Sequence, residues 1–366
     1  MTVHQALHTF TPRDAISNQA AAIQRILRQL GFGDSAIFAV NADVRRVDHD
    51  EVLVRPIRQL KLRPQDWLIL HFSIGSPHLE AVGLRHLGQL VFYYHNVTPP
   101  EYFVGYNLSM AHGLQRGRSS LPLFARAPRA WAASEFDLDE LRQAGFADHG
   151  IVVPLVVEAS KLIASAQSSA GQGVVRRYTD GRLNWLFVGR LVPNKRQDVL
   201  IRALAYYRRL IDSQARLLLV GSSAHTPGYA LELRSLARAL GVGSEVIFAG
   251  SPSLAEGFGG YFQAAHVFVC ASAHEGFGLP LVEAMVFKLP IVACNTTGIP
   301  CAVQSAGILL DTCHPAAIAE AVHCLHRDQS IREHFAANQA IRLKQHSEAA
   351  LLSAVEAEAR RMGWTG

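Results

Sequence analysis

Two series of short apolar runs, each run separated from the next by a helix-length stretch, constrain this chain more than any other feature of its sequence. In the first half "SAIFAV", "DWLILHFS", "QLVFYYHN" and "RAWAAS" end in polar or small residues and read as buried strands. Asp14 is placed to cap a helix that runs to about Leu30 and stops at Gly31. In the second half "LNWLFVGR", "ARLLLVGS", "EVIFAG", "HVFVCAS", "PIVACN" and "AGILLD" alternate with helices near 196–210, 230–240 and 254–264 and with one beginning at about Leu279. Strands apolar on both faces and separated by helices belong to parallel sheets covered on both sides, so the fold class expected is α/β, with two doubly wound domains. Ligands of such sheets sit beyond the carboxyl ends of the strands, and the chemistry-bearing residues are sought there.

At 366 residues the chain exceeds one compact core. The small, polar, glycine-rich stretch "SAQSSAGQGVVRRYTDGR" breaks the pattern between the two series. It predicts a first domain over 1–166, a linker over 167–182, a second domain over 183–346, and a terminal helix over 347–366 that packs back on the first domain. Hydrophobic residues make up 49% and charged residues 18%, which excludes a disordered half. No apolar run approaches the roughly 20 residues of a spanning helix, and "MTVHQALHTFTPRDA" lacks the apolar core of a secretory signal, so a cytoplasmic location is expected. The five cysteines contain no C-x-x-C pair, which argues against a disulfide framework and a zinc knuckle and predicts buried free thiols. A net charge of +5 suits an anionic partner, either a phosphorylated ligand or an anionic membrane surface. Between Tyr102 and Ser134 stand Arg116, Arg118, Arg126 and Arg129 and no acid, which is either a membrane-facing patch or an ordinary solvated face. Neither half carries G-x-G-x-x-G after its first strand, which weakens a dinucleotide-binding reading.

Two stretches carry the chemistry. In "FVGRLVPNKRQDVLIRAL" a strand ends at Val188, Gly189 lets the backbone turn, and Arg190 and Lys195 precede a helix. Two cations at a parallel sheet's carboxyl edge, beside the free N–H groups of a helix, form a diphosphate site; taken alone they are also compatible with a loop that solvates two charges. In "HEGFGLPLVEAM" Glu275 lies on a loop, Gly276 and Gly278 allow close backbone approach around Phe277, and Leu279 and Pro280 open a helix that carries Glu283. A carboxylate there is a partner of the helix dipole or an acceptor for the vicinal hydroxyls of a sugar.

The pairing of "VGRLVPNK" with "EGFGLPLVEAM", in this order over about 183–311, resembles the retaining glycosyltransferases of the GT-B fold, in particular their family 4, marked by a glutamate, seven residues and a second glutamate. The resemblance implies two Rossmann-like domains facing each other across a cleft. It implies that Arg190 and Lys195 bind the donor's diphosphate, that Glu275 contacts the transferred sugar, that Glu283 holds the ribose, and that the amides of Phe277, Gly278 and Leu279 cap the phosphates. "VFYYHNVTPPEYF" ends a strand at His95, where this family often has a histidine that meets the donor sugar, so the candidate catalytic residues are His95, Glu275, Arg190 and Lys195. Gly189, Gly276, Phe277, Gly278, Leu279 and Glu283 join them as donor-binding residues, and Ser73, Gly75 and Asn96 are first-domain candidates. His71, which opens "HFSIGS", is a second strand-end histidine.

The implied reaction is a metal-independent transfer of a hexose with retention, by front-face attack in which the leaving phosphate serves as base, to a saccharide or a polyprenyl-diphosphate-linked saccharide. GDP-mannose is the first choice of donor and a UDP-sugar the alternative. No further cofactor, no metal and no nucleic acid are expected, and the arginines of 116–129 would meet the anionic cytoplasmic face of a membrane. Two departures from the family pattern stand out. "TFTPRDAISNQA" replaces the usual glycine-rich turn, so that Asp14, Ser17 and Asn18 line that edge, and Cys301 follows "TTGIP" where many relatives have an acid. Competing readings are an epimerase or hydrolase of the same fold and a basic module for anionic polymers; the latter leaves the spacing of the glutamates unexplained.

Overall fold

The computed structural model describes residues 1–11, 14–42, 52, 54–147 and 150–364. They divide into two compact units, one of Met1–Glu101, Ser109–Val156 and His346–Gly366, the other of Tyr102–Leu108 and Val157–Gln345.

The first unit is built on β1 (Val3–Phe10), α1 (Ala15–Gln29), β2 (Ile37–Ala42), β3 (Val54–Pro56), β4 (Trp67–Phe72), α2 (Pro77–Arg85), β5 (Leu90–Tyr94), α3 (Leu108–Ser120), β6 (Arg129–Ala132), α4 (Glu135–Gln143) and β7 (Gly150–Val152). The strands form one parallel sheet in the order β3-β2-β1-β4-β5-β6-β7. β1 is absent from the reading of apolar runs because His4, Gln5 and His8 interrupt "VHQALHTF", yet it lies inside the sheet with Gln5 fully buried. That burial is satisfied: Gln5 Nε2 donates to the Ala20 carbonyl at 2.9 Å.

The second unit contains α5 (Ala159–Gln167), α6 (Ser169–Tyr178), β8 (Leu183–Val188), α7 (Gln197–Leu210), β9 (Ala215–Val220), α8 (Pro227–Ala239), β10 (Val246–Gly250), α9 (Phe258–Ala264), β11 (Val267–Cys270), α10 (Leu279–Val286), β12 (Ile291–Cys294), α11 (Ile299–Val303), β13 (Ile308–Leu310), α12 (Pro315–Arg327) and α13 (Gln329–Gln345). Its parallel sheet runs β10-β9-β8-β11-β12-β13. Leu217, Leu219, Trp185 and Phe187 from the sheet pack with Leu200, Leu204 and Tyr207 of α7 and Val322 of α12. Each such side chain, once fully buried, contributes about 1.5–3 kcal/mol. The final helix, α14 (Glu348–Arg361), belongs to the first unit and buries Leu351, Val355 and Ala359 against Ile23, Ile26 and Val3.

Two expectations are corrected here. The stretch read as a linker, 167–182, is helical over Ser169–Tyr178 and lies within the Val157–Gln345 segment of the second unit. Its glycines serve close packing. A Cβ on Gly171 would sit 2.1 Å from the Ser165 carbonyl oxygen, and one on Gly260 of α9 would sit 2.5 Å from the Gly171 carbonyl oxygen. The thiols are not all free either: Cys294 and Cys313 form a disulfide across the ends of neighbouring β12 and β13, with Cα atoms 5.7 Å apart, while Cys270, Cys301 and Cys324 are free.

Candidate functional site

In a doubly wound sheet the crevice opens where the strand order reverses, and in the second unit that point lies between β8 and β11. Both predicted motifs leave the sheet there. Gly189 has φ 153 and Gly221, after β9, has φ 155; a Cβ on Gly221 would stand 1.9 Å from the Gly189 carbonyl oxygen. The chain therefore turns off β8 backbone against backbone. Arg190 follows, exposed and forming no ion pair among the described residues, while its carbonyl accepts from Gln197 Nε2 at 2.9 Å. Pro193–Lys195 make a single helical turn. Asn194, buried within it, donates from Nδ2 to the His274 carbonyl at 3.0 Å and accepts at its own carbonyl from the Ala273 amide at 2.8 Å. This bracket joins the loop after β8 to the loop after β11.

The bracket brings Lys195 and Glu275 together. Lys195 Nζ pairs with Glu275 Oε2, each side chain 15% exposed, and the other carboxylate oxygen accepts from Ser272 Oγ at 2.9 Å. The backbone of Glu275 is held as well: its amide donates to Thr297 Oγ1 at 2.9 Å, and its carbonyl accepts from the Gly298 amide at 2.9 Å. A Cβ on Gly298 would lie 1.9 Å from the Gly276 carbonyl oxygen, so this glycine lets the loop lie flat on the start of α11. Gly278, at φ 94, is the residue before α10, and the amides of Gly278 and Leu279 stand at the open end of that helix with Phe277 buried beneath. Glu283, in α10, is half-buried and accepts no hydrogen bond from a described residue. Desolvation, and then the charge of Glu158, raise its carboxyl to about 7. The eight-residue step from Glu275 to Glu283 thus spans a loop and the first turns of a helix rather than one helical face.

In the first unit His95 lies just beyond β5, half-buried, with Nε2 2.9 Å from His71 Nδ1. Burial, and then the neighbouring His71, hold its ring well below the usual histidine range. Ser73 is half-buried after β4. Two other candidates have structural duties. Gly75 is needed for packing, since its Cβ would stand 2.4 Å from the Gly117 amide nitrogen of α3. Asn96 is buried at φ 68 and turns inward, donating from Nδ2 to Asp137 Oδ1 at 2.8 Å and Glu140 Oε2 at 2.7 Å. Asp14 and Ser17 are used in the cap of α1: Asp14 Oδ2 accepts from the Ser17 amide at 3.0 Å, and Ser17 is buried. The half-buried Asn18 gives its amide to the Asp14 carbonyl at 2.9 Å. The acid-free arginine stretch is neutralised in space, because Arg116 pairs with Glu80, Arg118 with Glu140 and Arg129 with Glu358. Arg126 remains exposed. Among the described residues no helix is long and apolar enough to cross a membrane, and no three His, Cys, Asp or Glu side chains are grouped to hold a metal ion.

Asn194, Ser272, Thr297 and Gly298 were not singled out from the sequence as site residues. "TTGIP" was noticed for the residue after it, whereas its threonine and glycine hold the glutamate loop. Residues 179–342, which contain the whole Lys195–Glu275 bracket, match the family described as glycosyl transferases group 1. The chain is 34% identical over 188 residues to the D-inositol 3-phosphate glycosyltransferase of Streptomyces bingchenggensis, covering 48% of this chain and 40% of that protein. It is 31% identical over 228 residues to the D-inositol 3-phosphate glycosyltransferase of Actinosynnema mirum, covering 58% and 52%. It therefore spans about half or less of the length of these relatives. HepE of Anabaena, solved in complex with UDP-glucose, superposes with a TM-score of 0.76 at 17% identity, over 99% of this chain and 100% of HepE. At that identity the likeness shows the fold, which is GT-B with two Rossmann-like domains of parallel sheet.

Proposed function

We propose that this chain, whose residues 179–342 match the glycosyl transferases group 1 family, moves a hexosyl group from a nucleoside diphosphate sugar to a hydroxyl of a saccharide acceptor, with retention and without a metal. The observation that carries the reading is the Lys195–Glu275 pair, bracketed at the β8/β11 switch point beside the unpaired Arg190 and the open end of α10. Departure of a diphosphate needs fixed positive charge and preorganised donors, and Arg190, Lys195 and the Gly278 and Leu279 amides supply both. In this reading Lys195 exchanges Glu275 for a phosphate oxygen when the donor binds. That exchange frees the carboxylate, still held by Ser272, to accept from sugar hydroxyls. Glu283 accepts from the ribose.

With Glu275 used as a hydroxyl acceptor, retention is assigned to front-face attack: the acceptor oxygen bonds to the anomeric carbon as the phosphate oxygen leaves, and the acceptor's proton passes to that phosphate oxygen. The donor is proposed as a UDP-hexose ahead of GDP-mannose, because HepE of the same fold holds UDP-glucose. The working place proposed is the cytoplasm or the cytoplasmic face of a membrane, wherever a saccharide or lipid-linked saccharide acceptor is presented.

Melting the protein with UDP, GDP, ADP and their sugars tests the donor. A ligand at 100 times its Kd stabilises by about 2.7 kcal/mol, and the expected result is stabilisation by UDP compounds that Lys195→Ala abolishes. Stabilisation by GDP compounds alone would reassign the base; stabilisation by none would remove the reading.

A further inference from the structure

Three neighbouring strands of the first unit, β1, β4 and β5, each deliver one polar side chain to a single line of hydrogen bonds: Gln5, His71 and His95. The direction of that line follows from its first member. Gln5 donates from Nε2 to the Ala20 carbonyl at 2.9 Å, which leaves its amide oxygen facing His71 Nε2, also at 2.9 Å. An amide oxygen has no proton to give, so His71 Nε2 carries the hydrogen. A neutral imidazole has one N–H, so His71 Nδ1 is a lone pair, and His95 Nε2, 2.9 Å away, must be the donor. By the same count His95 Nδ1 is a lone pair, and no described residue bonds to it.

A protonated pair would break this logic, and burial opposes it. His71 is 2% exposed and burial lowers its ring to about 3; the His95 ring is lowered too, by burial and then by His71. No other charge among the described residues acts on either ring, and Tyr93 is the remaining titratable group that faces them. The two imidazoles lie nearly in one plane, 8° apart, and the Tyr93 ring centroid is 4.0 Å from that of His95, which restrains its rotation.

We propose that Gln5 and His71 are positioning residues that hold His95 as the Nε2–H tautomer, so that it presents a neutral hydrogen-bond acceptor, Nδ1, to a hydroxyl of a sugar substrate. This rests on the reading of His95 as the residue that meets that sugar. Its chemical sense is electrostatic: glycosyl transfer passes through a sugar with oxocarbenium character, which a cationic imidazole would oppose and a neutral acceptor does not. Gln5 is the stop that keeps the proton off the line, because its oxygen can only accept.

Long-range proton–nitrogen correlation spectra of protein labelled with 15N-histidine, assigned with His95→Gln, read which ring nitrogen bears hydrogen. The expected result is Nε2–H on both His71 and His95, neither titrating through the neutral range. An Nδ1–H His95, or one that titrates near the usual 6.5, overturns the proposal. A second arm compares His71→Leu, which keeps bulk and removes the acceptor, with His71→Asn, whose amide oxygen can replace Nδ1. The Leu variant is expected to lose about tenfold in kcat, one lost oriented hydrogen bond's worth, and to gain a neutral-range step in its pH profile. The Asn variant is expected to keep most of the rate and the flat profile. Equal losses in both with unchanged profiles would make His71 merely structural and would sink the relay. The spectra need no turnover, so a failed glycosyltransferase reading leaves the tautomers intact and transfer absent. A failed relay leaves transfer present and the tautomers wrong.

Discussion

Replacing Gly298 by alanine tests whether the position of the glutamate loop, apart from its chemistry, controls the reaction. Gly298 has φ −80, a conformation open to any residue, so the substitution strains no backbone angle. The cost is steric. The new Cβ would lie 1.9 Å from the Gly276 carbonyl oxygen, 2.3 Å from its carbon and 2.8 Å from the Phe277 nitrogen, all backbone atoms that cannot rotate aside. Restoring even the 3.0 Å that real Cβ atoms keep requires the loop to lift by about 1 Å. That lift stretches the 2.9 Å bonds from the Gly298 amide to the Glu275 carbonyl and from the Glu275 amide to Thr297 Oγ1. A misplacement of this size costs on the order of 100-fold in rate where geometry is decisive, while overpacking costs about 1–3 kcal/mol of stability. Steady-state transfer from the preferred nucleotide sugar, with melting temperature measured in parallel, is the assay. We expect kcat/KM to fall by about 100-fold in a protein that remains folded and still binds the nucleoside diphosphate. A variant within twofold of the wild type would show that the loop's seat on α11 does not set the geometry of Glu275.

The remaining predictions concern charge, proton uptake and the terminal helix. Lys195→Ala and Glu275→Ala should each abolish transfer with little loss of fold, since both side chains lie at the surface of the second unit's core; full turnover in either would remove them from the site. Glu283 keeps its proton up to about 7, against an ordinary value of 4.5, so the folded state holds a proton that the unfolded chain has already lost. Its contribution to stability is therefore lost as pH rises between those values. Glu283→Gln should show a flatter melting profile there than the wild type and weaker donor binding; parallel profiles would contradict the raised value. Leu351→Ala, at a fully buried position of α14, should cost about 2–5 kcal/mol, read as a lower urea midpoint. A midpoint unchanged from wild type would mean that α14 does not share the first unit's core.

Much of the second unit was legible because its strands are continuous apolar runs and its motifs sit at the ends of β8 and β11. The first unit was harder to read. β1 was overlooked because a buried strand with histidines and a glutamine does not look buried, and its polar groups are paid for by partners on β4 and α1. The stretch around Gly171 reads as a linker because a glycine that permits close packing and one that permits bending are the same letter.

By itself the sequence determined two doubly wound sheets, the turn at Gly189, the helix opening at Leu279 and the presence of Arg190, Lys195, Glu275 and Glu283 beyond the strands. These depend on periodicity and on local backbone demands, which neighbouring residues encode. Only the tertiary structure decided that Lys195 pairs with Glu275, that Gly298 seats the loop, and that Gln5 sets the direction of the histidine line. It also decided that the apparently unbalanced arginines are matched, Arg116 by a glutamate 36 residues away, Arg118 by one 22 away and Arg129 by one 229 away. Charge pairing and steric contact act through distances of a few ångströms, and the chain brings those atoms together from positions that no local pattern connects.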